Sequence, residues 1–562
     1  MLTKFKKTLR AQLKSIPTLR NIARAYRSLS FSDLGWSKIQ FDAAIKSNKK
    51  ILIATGFGGE IAMTSVESLI AAGLKVRGAD VHTLICDGIS ACQLCDTTRF
   101  ASDYEFINRG FPNWVCAACA RAGSNCYSSM DVKRHQYSEN LEQNDVEIIN
   151  LEIRRLDFRD IKEIKKYTFE GASLGEHVVA GVCRYFAKAD ISDELNYEKV
   201  MVKYFKAALS VYLSTDRLLK KEQFDCAVFN HGIYVPQGII AEACKKNHVN
   251  IVNWNTAYRK QCFIFSHGDT YHHELMAEPT DNWESMPWDS NRSELIRDYI
   301  NSRSEGQNDW IKFNDRSSQN SDDIKQELEI NNQNPIIGLY TNVLWDAQLH
   351  YPANLFENML EWLTETIEYF IMRTDLNLVI RVHPAELTGH LKSRQLVLDK
   401  IKEKYPELPK NVLIISSENK MNSYSLAKIC DSVLIYGTKI GVELTSMGIP
   451  VIVAGEAWIR GKSISFDPQD RAEYFELLNT LPINKRLDPK VTERALKYAY
   501  HFFFRRMIPL KNILPTGSIP QYKLDLSEIS NLKDFNCEGL DIICNGILDG
   551  TPFIFDGELN VR

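Results

Sequence analysis

The sequence predicts an α/β protein of two Rossmann-like lobes in series, the first carrying a cysteine-rich insertion. Three observations carry that expectation. Apolar strand-like runs alternate with helical runs from about residue 50 to 254, the alternation restarts after a polar stretch and continues from 335 to 454, and six of the thirteen cysteines fall between Cys86 and Cys126. At 562 residues the chain is too long for one hydrophobic core, so two large folding units are expected.

The content of 44% hydrophobic and 25% charged residues is that of an ordinary globular protein, not a disordered or fibrous one. No run approaches the roughly 18 apolar residues needed to cross a bilayer, and the basic N-terminus lacks the apolar core and cleavage site of a signal peptide. A cytoplasmic protein is expected. Residues 1–45 form a basic arm whose first 32 residues hold eight Lys or Arg and no acid. Between them Leu2, Phe5, Leu9, Leu13, Ile16, Leu19 and Ile22 recur near helical spacing. An amphipathic helix interrupted at Pro17 would suit the anionic inner face of the cell membrane. An arm that is solvated, or that packs on its own protein, is the competing reading. No nucleic-acid partner is expected, because nothing downstream extends the basic surface with a reading module.

The first lobe spans 46–300. Strand Lys50–Ala54 runs into the turn Thr55-Gly56-Phe57-Gly58-Gly59, then a helix from about Glu60 to Ala72 and a strand at Val81–Ile85. Strand, glycine turn, helix, strand opens a doubly wound domain. Val146–Leu151 reads as a strand, Val200–Leu219 as a long helix, Cys226–Asn230 as a strand, Gln237–Lys246 as a helix and Val249–Trp254 as a strand. Residues 301–334, rich in Ser, Asn, Gln and Asp, mark a linker or surface insertion. The second lobe, 335–515, repeats the scheme: strands at Pro335–Tyr340, Leu376–Val382, Val412–Ile415, Ser432–Tyr436 and Pro450–Ala454 separated by helices. Residues 494–506 are expected to form a helix packing back across the lobes, with 516–562 as a tail. Two such units with a cleft between them is the GT-B arrangement.

The sharpest local feature is Arg381-Val382-His383-Pro384, where an apolar strand ends in titratable groups. Arg381 and His383 alternate with apolar neighbours and so share a face, at the edge where parallel sheets bind ligands. Both suit phosphate oxygens. Further on, Tyr436, Gly437, Thr438, Lys439 and Gly441 carry the chain from a strand into a helix whose first N–H groups are unpaired, a phosphate-binding geometry. Glu443 in the first turn is expected to accept hydrogen bonds from a ribose.

Arg381-Val382-His383-Pro384, the 437–443 turn and Gly448-Ile449-Pro450-Val451-Ile452 together resemble the bacterial capsule polysaccharide biosynthesis family. That family is related to the capsular Kdo transferases and, more distantly, to polysialyltransferases and glycerophosphate transferases that share a His-Pro motif. The resemblance extends through the 54–59 turn and Asn230-His231-Gly232-Ile233-Tyr234, covering roughly 48–460. It implies a glycosyltransferase with a nucleotide-sugar donor and a glycan or glycolipid acceptor, with His383 on the donor's phosphate and Thr438 beside it. Gly58, Gly59 and Asn230 are the acceptor-side candidates.

Cys92-x2-Cys95 and Cys116-x2-Cys119 stand about twenty residues apart, the spacing of a structural zinc site, with Cys86 and Cys126 as substitute or extra ligands. An iron–sulfur cluster is the alternative occupant, and unliganded buried cysteines are the bland one. No redox or organic cofactor is expected.

Glycosyl transfer needs a clamp for the leaving phosphate and, in an inverting reaction, a base for the acceptor hydroxyl. Cationic groups and N–H donors supply the clamp without a metal. The base is expected from the first lobe, with His231, Glu176 and His177 as candidates. His267, His272 and His273 fit no zinc-protease spacing and are read as acceptor-side or structural. Two rival functions share this architecture: a nucleotide-sugar epimerase, and a non-catalytic assembly protein of a polysaccharide-synthesis complex.

Overall fold

A computed structural model describes residues 16–30, 36, 47–305, 309–310, 320–330, 334–347, 349–389, 391–483, 486–516, 521–526 and 537–557. The first sheet is built from β1 (Lys50–Ile53), β2 (Asp80–Ile85), β3 (Lys133–Gln136), β4 (Cys226–Asn230), β5 (Asn250–Thr256) and β6 (Cys262–His267). The second contains β7 (Ile336–Tyr340), β8 (Asn377–Arg381), β9 (Val412–Ile415), β10 (Ser432–Ile435) and β11 (Val451–Val453). A late strand, β12 (Met507–Pro509), returns to the first sheet.

The order of the first sheet is β12-β6-β5-β4-β1-β2-β3 and that of the second is β9-β8-β7-β10-β11. The five parallel strands β5-β4-β1-β2-β3 of the first sheet thus repeat in space the arrangement of the second sheet, which is parallel throughout, the direction of progression reversing beside each lobe's first strand. Each lobe therefore has a switch point, β1/β4 in one and β7/β10 in the other, where the connections leave on opposite faces and open a crevice at the strands' carboxyl ends.

Continuous apolar strands are what burial on both faces demands. In β1, Ile51 and Ile53 pack beneath α2 (Ile61–Val76), while Leu52 and Ala54 face the helices of the opposite layer, including α5 (Tyr197–Glu222) and α6 (Gln237–Lys246). In the second lobe Ile337, Leu339, Leu378 and Ile380 pack on α8 (Met359–Met372). Val379, Val433 and Ile435 face the other way, toward α9 (Ser423–Ile429), α10 (Ile440–Ser446) and α11 (Pro489–Tyr500).

The expected strand at 146–151 is instead a helix, α4 (Asp145–Arg155). Its apolar run is too short to set a period, whereas Asp145 and Glu147 in the first turn and Arg154 and Arg155 in the last complement the helix dipole. Strands β3 and β6 were not foreseen. Lys133-Arg134-His135-Gln136 is a polar edge strand, and β6 ends at His267, one of the histidines read as acceptor-side or structural.

The residues assigned to the linker are partly helical: α7 (Ser290–Glu305) runs into the segment and a short helix follows at Ser321–Glu327, while 306–308, 311–319 and 331–333 lie outside the described residues. The expected crossing helix is present as α11, extended by a π-turn through His501–Arg505 into β12. The part read as a tail also returns to the first lobe. Helix α12 (Glu538–Asp549) packs on α2, where a Cβ at Gly73 would stand 2.9 Å from Cys544 Sγ, and Phe553 and Phe555 complete that core. Residues 517–520, 527–536 and 558–562 are not among those described.

Of the basic arm, 1–15 lie outside the described residues, and α1 (Pro17–Ser30) packs on the protein itself. It lies against α3 (Asn113–Cys126), with Asn21 donating to Arg99 O at 3.0 Å and Arg24 paired with Glu60 at 2.7 Å. Pro17 is the first residue of this helix, as suits a residue without an N–H; whether a helix precedes it falls outside the described residues. Among the described residues no helix is long and apolar enough to cross a membrane.

Candidate functional site

A cavity of about 460 Å³ opens between the lobes at the carboxyl ends of both sheets. His231 follows β4; Thr341 to Asp346 follow β7; His383 to Ala385 follow β8; Tyr436 to Lys439 follow β10; Glu456 and Trp458 follow β11. Tyr258, Tyr271, His272 and Arg303 complete the wall from the first-lobe side. Tyr234 joins the lobes by donating to Asp346 Oδ1 at 2.7 Å.

His383 is held from two directions. Its amide donates to Thr341 Oγ1 at 3.1 Å, and its Nδ1 accepts from the amide of Ala385 at 3.0 Å. An acceptor at Nδ1 places the neutral ring's proton on Nε2. Burial, helped by the charges of Arg381 and Lys439, pushes His383 down to about 4, so the ring is neutral at physiological pH. Proline at 384 is what turns the chain so that the 385 amide meets the ring.

Arg381 lines the cavity but does not offer the donors expected of it. Its guanidinium donates to Ser416 O at 2.8 Å and to Asn419 O and Met421 O at 3.1 Å, and its Nε to Ser423 Oγ at 3.2 Å. These bonds tie the 416–423 loop to the strand end. Glu443, expected to meet a ribose, does not line the cavity. It is fully buried, and its Oε1 receives Lys439 Nζ, Arg303 Nε at 2.9 Å and the Tyr424 hydroxyl at 3.3 Å. The Lys439 and Arg303 charges hold its carboxyl below the usual range against the opposing effect of burial. Helix α10 has only two turns, and Gly441 faces its own lobe, a Cβ there falling 2.8 Å from Ile435 Cδ1 and Ile459 Cδ1.

The turn at 437–439 does line the cavity. Gly437 is required because a Cβ would stand 2.7 Å from Glu456 O. Lys439 Nζ lies 4.7 Å from the centre of the Tyr258 ring, a cation–π contact. Tyr436 faces the cavity while its hydroxyl donates to Phe356 O at 2.9 Å.

Of the three expected bases, only His231 reaches the cavity. It sits at the end of β4 with φ of +69°, a left-handed conformation costly for a side chain with a Cβ, and its Nδ1 is buried without a hydrogen-bond partner among the described residues. Burial pushes it down to about 4, with the Asp346 charge acting the other way. His177 is instead a packing residue: its Nδ1 bonds Ile233 O at 2.6 Å and its ring lies against Gly238. Glu176 accepts from the amide of His350 at 3.2 Å, outside the cavity wall.

The acceptor-side candidates are also structural. Asn230 is buried, its backbone amide donating to Thr55 Oγ1 at 2.7 Å and its side-chain Nδ2 to Trp254 O at 3.1 Å. A Cβ at Gly58 would come within 2.2 Å of Cys119 O, so that glycine serves the close approach of α3 rather than a ligand. Gly59 N–H donates to Cys119 Sγ at 3.1 Å. Among the histidines read as acceptor-side or structural, His272 lines the cavity and is pushed down to about 3 by burial. His267 and His273 bond Thr551 O and His350 O. Among the described residues no three His, Cys, Asp or Glu stand ready to hold a metal ion.

Arg303, Asp346 and Tyr258 were not anticipated. Arg303 lies in the stretch read as linker, and none of the three belongs to a local motif. The one available signal was an arginine closing an otherwise helical segment.

Residues 294–498 match the family described as capsule polysaccharide biosynthesis protein. The matched residues hold β7 to β11, the 381–385 and 436–440 segments of the cavity wall, and, near their start, Arg303. Among solved structures, the chain is similar to KpsC, beta Kdo 2,4 transferase, of Thermosulfurimonas dismutans, at 10% identity over 56% of this chain and 88% of that one, with a TM-score of 0.34. The beta Kdo 2,7 transferase of the same organism's KpsC gives 12% identity, 57% and 89% coverage and a TM-score of 0.31. UDP-GlcNAc 2-epimerase from Neisseria meningitidis gives 12%, 80% and 95%, with a TM-score of 0.22. No curated protein matches the sequence.

Proposed function

We propose that this capsule-synthesis-family chain is a glycosyltransferase, moving a sugar from a nucleotide-sugar donor to a growing capsular glycan or glycolipid acceptor. The observation that carries the reading is the fixed tautomer of His383: a neutral imidazole with Nε2–H as its donor, at a strand end lining the inter-lobe cavity. A preorganised donor at that place stabilises charge developing on a leaving phosphate without reorganising during the reaction. Thr438 and Lys439 on the neighbouring switch-point turn add a hydroxyl and a cation.

On this reading Tyr271 and Trp458, stacked with ring centres 5.9 Å apart, form an apolar platform for a base or sugar ring. His231 takes the proton of the acceptor hydroxyl. An anionic donor in the cavity raises its pKa toward the range a general base needs. The clamp consists of protein donors, so transfer is expected to persist in EDTA.

The test is thermal shift of the full chain with CMP, CDP, UDP and GDP, followed by transfer assays with the stabilising nucleotide's sugars. Stabilisation by one nucleotide, lost in His383→Ala, supports the donor site. Turnover of donor without any acceptor would favour epimerisation, and the absence of any nucleotide effect would remove the transferase reading.

A further inference from the structure

Tyr234 is not part of the cavity wall, yet it touches both the base of the proposed reaction and the opposite lobe. Its ring stacks on that of His231, with centres 5.1 Å apart and planes 27° from parallel. Its hydroxyl donates to Asp346 Oδ1 at 2.7 Å and accepts from the Ala347 amide at 3.3 Å. Both of those groups belong to the segment after β7, so one phenol turns its donor and an acceptor site toward the second lobe. Within the first lobe the same ring is held by Arg184 of the helix Gly175–Phe186. The Arg184 Cζ lies 5.1 Å from the ring centre, and its Nε donates to Gln93 O at 3.0 Å.

The backbone of His231 is anchored by its amide, which donates to Trp254 O at 2.9 Å. Its ring is not tied in the same way, since Nδ1 is buried without a hydrogen-bond partner among the described residues. Among those residues its one ring-stacking partner is Tyr234, so the phenol sets the plane of the imidazole. Backbone strain gathers at the same contact. His231 and Ala347 take left-handed φ of +69° and +50°, and neither is a glycine. Such conformations cost stability and persist where surrounding contacts enforce them, most often at functional sites.

We propose that Tyr234 is a positioning residue: through its hydroxyl it couples the approach of the second lobe's 346–347 segment to the orientation of the His231 imidazole. The inference rests on the reading of His231 as the base. Tyr234 exchanges no proton with a substrate; its O–H stays on Asp346 throughout. A base aligned only while the lobes are together completes the catalytic group on closure and is poorly placed to activate water in an open cleft, which limits hydrolysis of the donor.

The experiment combines transfer kinetics with NMR of the full chain carrying ring-labelled histidine, the His231 signal being assigned by its loss in His231→Ala. Tyr234→Phe keeps the ring and removes the hydroxyl. We expect kcat to fall about 10- to 100-fold, as for a misplaced catalytic group, with nucleotide affinity unchanged. The His231 signal should move while those of His82 in β2 and His135 in β3 hold. In the His231→Ala background the same substitution should lower kcat no further, because a residue that acts through another adds nothing once that other is gone. An equal loss in both backgrounds, or a His231 signal unmoved by Tyr234→Phe, overturns the proposal. A wild type that transfers no sugar would count against the reaction itself, and a displaced His231 signal would then still support the coupling. If Tyr234→Phe does not fold, Asp346→Ala takes its place: displacement of the His231 signal, restored toward wild type by Asp346→Asn, supports the coupling, and no displacement overturns it.

Discussion

The Ala385 amide donates to His383 Nδ1 at 3.0 Å, so a backbone turn two residues downstream decides which ring nitrogen carries the proton. His383→Ala removes the Nε2 donor and is expected to lower kcat/KM by about 10²- to 10³-fold, the usual cost of one preorganised donor. His383→Gln, whose amide reaches a similar place, should recover part of that loss. Because the unliganded ring stays neutral down to about pH 4, His383 should give the free enzyme no histidine-like step in kcat/KM between pH 5.5 and 8. Transfer kinetics across that range check these statements, and a step centred near 6.5 that vanishes in His383→Gln would contradict the assignment.

Arg381 holds the 416–423 loop with four hydrogen bonds. Arg381→Ala leaves three carbonyls and a hydroxyl without their donor and is expected to cost about 2–4 kcal/mol of stability. Urea denaturation reads this directly. An unchanged unfolding midpoint together with a lost nucleotide response would restore the phosphate role for this residue.

Glu443 is expected to behave as a structural charge. Glu443→Gln leaves Lys439 and Arg303 buried with reduced compensation, and breaking such a pair typically costs about 3–5 kcal/mol. The measurement is the same denaturation series, and selective loss of ribonucleotide over deoxyribonucleotide binding at full stability would argue for the ribose contact instead.

Glu67, in the first-lobe core, takes the Thr55 hydroxyl and Trp254 Nε1, the latter at 3.0 Å. Burial raises its carboxyl from 4.5 to about 8. The folded state therefore keeps a proton that the unfolded chain releases, so this group's stabilisation is full below pH 4.5 and is lost as the pH rises toward 8. Glu67→Gln should flatten stability across that window and match or exceed wild type at pH 7.5 by about 1–3 kcal/mol. Equal slopes in the two proteins would refute a protonated Glu67.

The repeated βα order was legible because parallel strands buried on both faces are written as unbroken apolar runs: 226–230 and 412–415 come out at their observed ends. Polar or edge elements were not legible. Lys133–Gln136 has no apolar signature, and a strand such as β12 exists only because its partner β6 is there to receive it. The same limit applies at the site. The His383 and 437–439 segments could be read because one strand end and one turn present them together. Asp346 and Arg303 could not, since each joins the wall through folding of distant chain.

By itself, then, the sequence determined the two-lobed α/β plan, the strand-end placement of His383 and the spacing of the cysteine pairs, all of which depend on residues near one another in the chain. Tertiary structure alone decided that Arg381 and Glu443 are internal ties, that Gly58 makes room for α3, and that Arg24 of the basic arm is buried against Glu60. Each of those outcomes turns on which partner satisfies a buried polar group, and partners are chosen by packing across long sequence separations.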